Sequence, residues 1–211
     1  FDRLLPLPVE LRDPTLRAHA YHSRARVATV RGDATQAERW ARNGIELCEE
    51  AKLFHHAAHG YVELGRAQNA AGDHAGAIES LERALSSARR DRLLLSVPEI
   101  QTELAIAYAS AGQSAHAVAL AQDAVANARA RDLRLLECDA LLAQSRALLR
   151  FDAAHSRADI EDGLAEVEKR AKEMGAWASF QPHVERMRGD LACALRDPAG
   201  ARCHWERAVV A

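Results

Sequence analysis

The chain of 211 residues is long enough for one or two ordinary domains or for one solenoid of several repeats. Apolar residues make up 48% of it but aromatic residues only 5%, so the core must consist mostly of Ala, Leu and Val, which favours closely packed helices over a β-sandwich. The 28 Lys and Arg residues are balanced by 30 Asp and Glu, which excludes a general electrostatic attraction for nucleic acid or for an anionic membrane.

Neither a membrane-spanning apolar run nor a signal-peptide pattern is present, so we expect a cytoplasmic protein without membrane contact. The four cysteines, Cys48, Cys138, Cys193 and Cys203, form no CxxC pair and are typical of buried apolar residues in a reducing cytosol. His55 and His59 share a helix face but have no third ligand, so no metal site is predicted. Phosphate-binding loops and nucleophile or zinc-protease motifs are missing, which predicts no cofactor and no catalysis.

Residues 1–13 contain two prolines and no helical period, which predicts a linker or the end of a preceding element. Asp13-Pro14 marks a helix start, because Asp suits the N-cap and Pro the first helical position. The sequence does not begin with Met, and apolar Val209-Val210 stand where a solenoid needs a polar cap. We therefore expect the segment to belong to a longer protein.

A helix hairpin of about 40 residues recurs from residue 14 onward. Glycines end the first helices and alanines recur in the second helices at this spacing: Gly32, Gly72 and Gly112, then Ala37, Ala77 and Ala117. The period predicts helices over residues 14–31, 34–52, 55–71, 74–91, 98–111, 114–131, 133–150, 154–174, 182–195 and 198–211. These ten helices form five hairpins within one domain, 14–211, with repeats over about 14–53, 54–93, 94–132, 133–174 and 175–211.

The clearest hairpin is YVELGRAQNAAGDHAGAIESLERAL, from Tyr61 to Leu85. Gly65, Ala77 and Ala84 lie where a large side chain would push the two helices apart, so the stretch is suited to close antiparallel packing. Its residue spacing resembles that of a tetratricopeptide (TPR) unit. The chain also resembles the MalT-like 40-residue helical repeats of large bacterial regulators, in the stretches LRDPTLRAHAYHSRARVATVRGD (11–33), HAAHGYVELGRAQNAAGDHAGAIESLERAL (56–85) and GAWASFQPHVERMRGDLACALRDPAGARCHWERAV (175–209). The resemblance implies an all-α fold, a right-handed TPR-like α-solenoid of about five hairpins.

A TPR unit has one small residue in its first helix and two in its second, and this pattern can be followed through the chain. The sets are Ala25, Ala37, Gly44; Gly65, Ala77, Ala84; Ala105, Ala117, Ala124; Ser145, Ala158, Ala165; and Gly189, Ala201, Ala208. The fourth set requires one extra residue in the turn, where Phe151-Asp152 replaces Gly-Asp.

First helices of TPR proteins line a concave groove, and the resemblance places one groove-facing row at Arg26, Arg66, Ile106, Arg146 and Asp190. Neighbouring positions supply further polar groups, among which we predict ligand-binding roles for His22, Glu63, Asn69, Thr102 and Glu103. The arginines suit the carboxylates of an extended acidic peptide, because the guanidinium binds them with two parallel hydrogen bonds. In the alternative interpretation, Glu63 and Glu103 simply neutralise the arginines.

The resemblance implies a non-catalytic module that binds a protein or extended peptide in its groove. Such a module would be the sensor or interaction region of a bacterial transcriptional or signal-transduction regulator, with no direct contact to nucleic acid. A small-molecule effector site, as in a MalT-like activator, is the first alternative, although Tyr21 and Tyr61 fall at packing positions rather than in the groove. The second alternative is an oligomerisation scaffold, such as a homodimer through the solenoid ends.

Overall fold

Ten α-helices and no strand make up residues 12–210, the part of the chain that the computed structural model describes. In chain order they are α1 Pro14–Val30, α2 Ala34–Glu50, α3 Phe54–Ala71, α4 His74–Arg90, α5 Val97–Ser110, α6 Ser114–Arg129, α7 Arg134–Asp152, α8 Arg157–Glu173, α9 Trp177–Ala194 and α10 Pro198–Val210. None of these helices is long and apolar enough to span a bilayer. The linker predicted over 1–13 lies almost wholly outside the described residues.

The helices form two layers of antiparallel hairpins. Each helix packs against the next one along the chain, and each odd-numbered helix also contacts the next odd-numbered helix, from α1 through to α9. No two even-numbered helices among those described contact each other. The odd-numbered helices therefore converge in an inner layer, while the even-numbered helices spread apart in an outer layer, as expected for a curved solenoid.

Left-handed backbone residues end most of the helices at regular intervals. Gly32, Gly72 and Gly112 have φ values of 77°, 85° and 78° within the hairpins. Between hairpins the same conformation falls on non-glycine residues, namely Lys52, Arg92 and Asp132, with φ values of 56°, 56° and 52°. The sequence pattern revealed the glycines but not these three positions, which share the 40-residue period.

In the first, second and fifth hairpins an aspartate after the turn caps the second helix. Asp33 accepts a hydrogen bond from the backbone N–H of Gln36 at 3.1 Å, and Asp73 accepts one from Gly76 at 2.9 Å. Asp13 caps α1 in the predicted way, since its Oδ1 accepts from the backbone of Thr15 at 2.7 Å. The predicted starts of α1, α2, α4 and α10 agree with the structure, and each of these helices has such a cap.

Small residues bring paired helices close together in most hairpins. Ala37, Ala77 and Ala117 are fully buried, and a Cβ added at Gly65 would lie 2.6 Å from Leu81 Cγ. The close antiparallel packing predicted for the second hairpin is therefore confirmed. Gly189 in the last hairpin faces the indole of Trp205 in the same manner.

The fourth hairpin departs from the predicted register. Ala158 and Ala165, which were expected at the close contacts, are exposed. The residues buried on α8 are instead Ile160, Leu164, Val167 and Ala171, each fully buried. This set begins two residues later than predicted, because α7 continues through Phe151 and Asp152, where the turn was expected, and the turn follows over 153–156 without a glycine. The small residue of α8 that approaches α7 is Gly163, where an added Cβ would lie 3.1 Å from Ser145 Oγ.

The start of α9 was also predicted incorrectly. Pro182 was expected to begin this helix, but α9 begins at Trp177 and includes Pro182 in its second turn. A proline so near the N-terminus removes a single intrahelical hydrogen bond, which the helix tolerates there. Lys172 stacks on the ring of Trp177 at 5.2 Å, and Phe180 is buried in the adjoining core, so packing supports the early turn.

Candidate functional site

A concave cavity of about 440 Å³ lies on the inner layer, bordered by side chains of α1, α3, α5, α7 and α9. Four of the five residues in the predicted groove row border it: Arg26, Arg66, Ile106 and Arg146. The 40-residue period therefore assigns the inner face correctly. The fifth, Asp190, lies near the end of the solenoid and accepts a hydrogen bond from Trp205 Nε1 at 3.1 Å.

Arg66 is the centre of an ion-pair cluster. Its Nη1 lies 2.7 Å from Glu63 Oε1, and its Nη2 lies 2.9 Å from both Glu99 Oε1 and Glu103 Oε1. Burial alone would lower the pKa of Arg66, but the carboxylates of Glu103, Glu63 and Glu99 outweigh it and raise the pKa above its usual range. This arginine thus holds together carboxylates from α3 and α5.

Arg26 reaches the same cluster from α1. Its Nη2 and Nε lie 2.7 and 3.0 Å from Glu63 Oε1, and its side chain keeps 57% exposure. Glu63 is buried at 3% exposure, and its Oε2 has no hydrogen-bond partner among the described residues. For Arg26 and Arg66 the structure therefore agrees with neutralisation by neighbouring carboxylates.

Arg146 differs from the other two arginines. No ion pair or hydrogen bond links its side chain to any other residue within 12–210, although it borders the cavity. Burial and the positive charges of Arg186 and Arg150 lower its pKa, while Glu103 and Asp190 act in the opposite direction. Arg150 itself donates from Nη1 to the carbonyl oxygen of Ala109 at 2.8 Å. The guanidinium of Arg146 is thus available to a ligand.

Asp139 and Glu99 border the cavity but were missed by the sequence reasoning. The side chain of Asp139 borders the groove. Burial and the carboxylates of Glu103 and Glu99 raise its pKa to about 6, against the opposing charge of Arg66. The missed signal is a second row at the 40-residue period, seven residues before the arginine row. It consists of His19, His59, Glu99 and Asp139.

Apolar side chains separate the two charged ends of the cavity. Ile106, Leu136 and Leu142 are half-buried along its wall, and Leu135 is 55% exposed. Within the described chain, the lining includes no Phe, Tyr or Trp. The cavity therefore combines charged hydrogen-bonding groups with aliphatic surface but offers no large ring on which a sugar could stack.

Three residues with predicted ligand-binding roles make contacts within the chain, and of these three Thr102 also borders the cavity. His22 is buried 3.0–3.2 Å from positions that a Cβ on Gly44 or Gly60 would occupy, so it lies between helices rather than in the groove. At the 40-residue period His22 corresponds to Val62, the residue before Glu63, and so it lies on a different part of the helix surface. Asn69 hydrogen-bonds His74 Nδ1 at 2.7 Å, and the buried hydroxyl of Thr102 donates to the carbonyl of Pro98 at 2.8 Å.

Solved structures of other proteins share this architecture at low sequence identity. A Rap protein complexed with Competence and Sporulation Factor is 11% identical with a TM-score of 0.75, over 95% of this chain and 65% of that one. A kinesin light chain-type protein with nearly identical TPR-like repeats, from Podosopora anserina, is 21% identical with a TM-score of 0.64, over 95% and 96%. The chain has the tetratricopeptide-repeat fold.

A third similar structure places the TPR fold in a larger protein. It is a Signal Transduction ATPase with Numerous Domains (STAND) that carries a tetratricopeptide repeat sensor, from Pyrococcus horikoshii. It is 16% identical with a TM-score of 0.57, over 94% of this chain but only 37% of that one. The chain likewise spans less than two thirds of the Rap protein. Neither a protein-family model nor a curated protein matches the sequence.

Proposed function

We propose that this TPR domain is a non-catalytic module that binds a protein segment or extended peptide in its concave groove. The observation that carries the proposal is the cavity of about 440 Å³ on the inner layer, with charged groups at its ends and aliphatic side chains between them. Backbone groups and side chains of an extended peptide would meet both kinds of surface. The similar Rap structure holds a bound factor, which supports the same use of the fold here.

The module belongs, in this proposal, to a cytosolic bacterial regulator in which ligand binding is passed to an output domain. The TPR sensor of the similar STAND protein supports such a role. Each helix pair contacts only its neighbours, so a ligand that bridges α3, α5 and α7 would change the curvature of the solenoid. A change in curvature can be read by a domain attached at either end.

Selection from a displayed peptide library tests this function. Ile106→Trp places a large ring in the cavity, whereas Ala119→Trp adds the same ring to an exposed position on outer helix α6. We expect the unaltered protein and Ala119→Trp to enrich the same peptides and Ile106→Trp to lose them. Enrichment that is equal on all three proteins, or no enrichment, contradicts groove binding. Circular dichroism shows whether each variant is folded.

A further inference from the structure

Asp139 and Arg146 are two charged groove residues on α7 that form no ion pair with any residue of 12–210. They are seven residues apart, so they lie on the same face of α7, separated by two turns or about 10 Å along its axis. Both border the same cavity. One helix thus presents an unpaired carboxylate and an unpaired guanidinium to the same ligand space.

The end of the cavity near Asp139 carries an excess of negative charge. Four carboxylates, those of Glu63, Glu99, Glu103 and Asp139, face only two guanidiniums, and both of these are already paired. Arg66 already acts on Asp139 but is shared among three other carboxylates, so a further cation would relieve the repulsion around Asp139. A lysine, an arginine or a free amino group of a ligand would supply it.

The other end of the cavity carries an excess of positive charge. Arg146 is close enough to Arg186 and Arg150 for their charges to lower its pKa. Two carboxylates oppose this effect, but Glu103 is paired with Arg66 and Asp190 accepts a hydrogen bond from Trp205. A carboxylate of a ligand would relieve this repulsion and could accept both hydrogen bonds of the guanidinium fork.

We propose that the groove selects a bipolar peptide segment, with a basic group against Asp139 and an acidic group against Arg146. The inference rests on the proposed peptide-binding function and specifies its ligand. An extended peptide advances about 3.3 Å per residue and its alternate side chains share a face, so two charges that both face α7 lie two or four positions apart. The intervening residues lie against Ile106 and Leu142, which favours small or aliphatic side chains there.

The test is a positional library of peptides of about six residues, acetylated and amidated so that only side chains carry charge. It is applied to the unaltered protein, to Asp139→Asn and to Arg146→Gln. Asp123→Asn and Arg89→Gln remove the same charges from exposed positions on outer helices and serve as controls. Selected peptides are then titrated by fluorescence anisotropy.

We expect the unaltered protein and both controls to select peptides that contain a basic and an acidic residue at fixed spacing. Asp139→Asn should lose the preference for the basic residue, and Arg146→Gln the preference for the acidic one, each with about tenfold weaker binding of the selected peptide. The double exchange Asp139→Arg with Arg146→Asp should select the two charges in the opposite order. This exchange keeps the net charge and tests orientation.

Selection of groove-bound peptides without this charge pair overturns the inference but leaves peptide binding intact. Purely acidic peptides would be the notable case, since the arginine row alone would then determine binding. Charge preferences that persist unchanged in Asp139→Asn and Arg146→Gln also overturn it. If no peptide depends on the groove, because Ile106→Trp selects the same set, the proposed function fails together with the inference.

Discussion

Arg26 and Arg66 occupy equivalent positions in successive repeats, yet their surroundings give them different roles. The side chain of Arg66 is 18% exposed and holds three carboxylates, whereas that of Arg26 is 57% exposed and contacts the edge of the cluster. Removing a cation from a buried group of carboxylates leaves uncompensated charge, while an exposed ion pair contributes little. Position in the register alone does not distinguish these cases.

The difference predicts unequal effects on stability. We expect Arg66→Met to lower the free energy of unfolding by about 3 kcal/mol, because Glu63, Glu99 and Glu103 would then repel one another. Arg26→Met should lower it by less than about 1 kcal/mol. Urea unfolding followed by circular dichroism measures both. Equal losses for the two variants would contradict the different roles of Arg26 and Arg66.

Buried histidines make the first two hairpins sensitive to acid. Burial, followed by the charges of His59, His19, His56 and Arg26, lowers the pKa of His22 from 6.5 to about 3. Burial and neighbouring histidines also lower that of His56, from 6.5 to about 4. The unfolded chain therefore binds these protons more readily than the folded one. The stability that the two neutral rings contribute is fully present above about pH 6.5 and is lost as the pH falls toward their lowered pKa values.

Replacing His22 by Leu tests this linkage. Each ring contributes a slope of about 1.4 kcal/mol per pH unit between its two pKa values, so the variant should lose about half of the acid sensitivity just below pH 6.5. The measurement is the midpoint of urea unfolding between about pH 7.5 and about pH 5. His183→Leu, at an exposed position, is the matched control and should keep the original slope. An identical slope in His22→Leu would exclude a contribution from the buried ring.

At the level of the helices and turns, Lys52 adopts a conformation that favours glycine. Its φ is 56°, it is exposed, and it joins two hairpins. Since an L side chain raises the energy of this conformation, Lys52→Gly should stabilise the chain by about 1 kcal/mol. The same change at exposed Lys169, inside α8, should destabilise by about 1 kcal/mol. Thermal unfolding shows whether each change raises or lowers the melting temperature. A lower melting temperature for Lys52→Gly would contradict the expectation.

Local sequence signals were sufficient to predict most helices. Asp13-Pro14 and the Gly-Asp turns specify caps and left-handed residues through interactions within a few positions, and these determine helix ends. The fourth hairpin lacked such a signal. Its turn has no glycine, so the small residues Ala158 and Ala165 were aligned by spacing alone, and the alignment was two residues out of register.

The groove was predictable only in part, for a different physical reason. The 40-residue period indicates which positions face inward, and Arg26, Arg66 and Arg146 were placed correctly. Which of them is paired depends on side chains from neighbouring helices. Glu99 lies 33 residues from Arg66 in the sequence but 2.9 Å away in space. The repeat period indicates which face of a helix a residue occupies, but it gives no distance between side chains of different helices.

At the scale of the whole molecule, stability is distributed along a chain of nearest-neighbour contacts. Among the described helices, α10 contacts α9 alone, whereas α5 contacts α3, α4, α6 and α7. In such an arrangement an end helix can open without the rest. Gly189 is a suitable point to test this, because a side chain there would overlap the indole of Trp205 on α10.

We expect Gly189→Val to speed amide hydrogen exchange in α10 about tenfold or more, since overpacking costs about 1–3 kcal/mol, and to leave α3 to α5 unchanged. Gly65→Val creates the matching overlap with Leu81 in the second hairpin and should speed exchange in α3 and α4. Mass spectrometry of peptic fragments resolves the two regions. Uniform acceleration over all ten helices in either variant would mean that the solenoid unfolds as one cooperative unit, in which case a ligand in the groove would stabilise both ends equally.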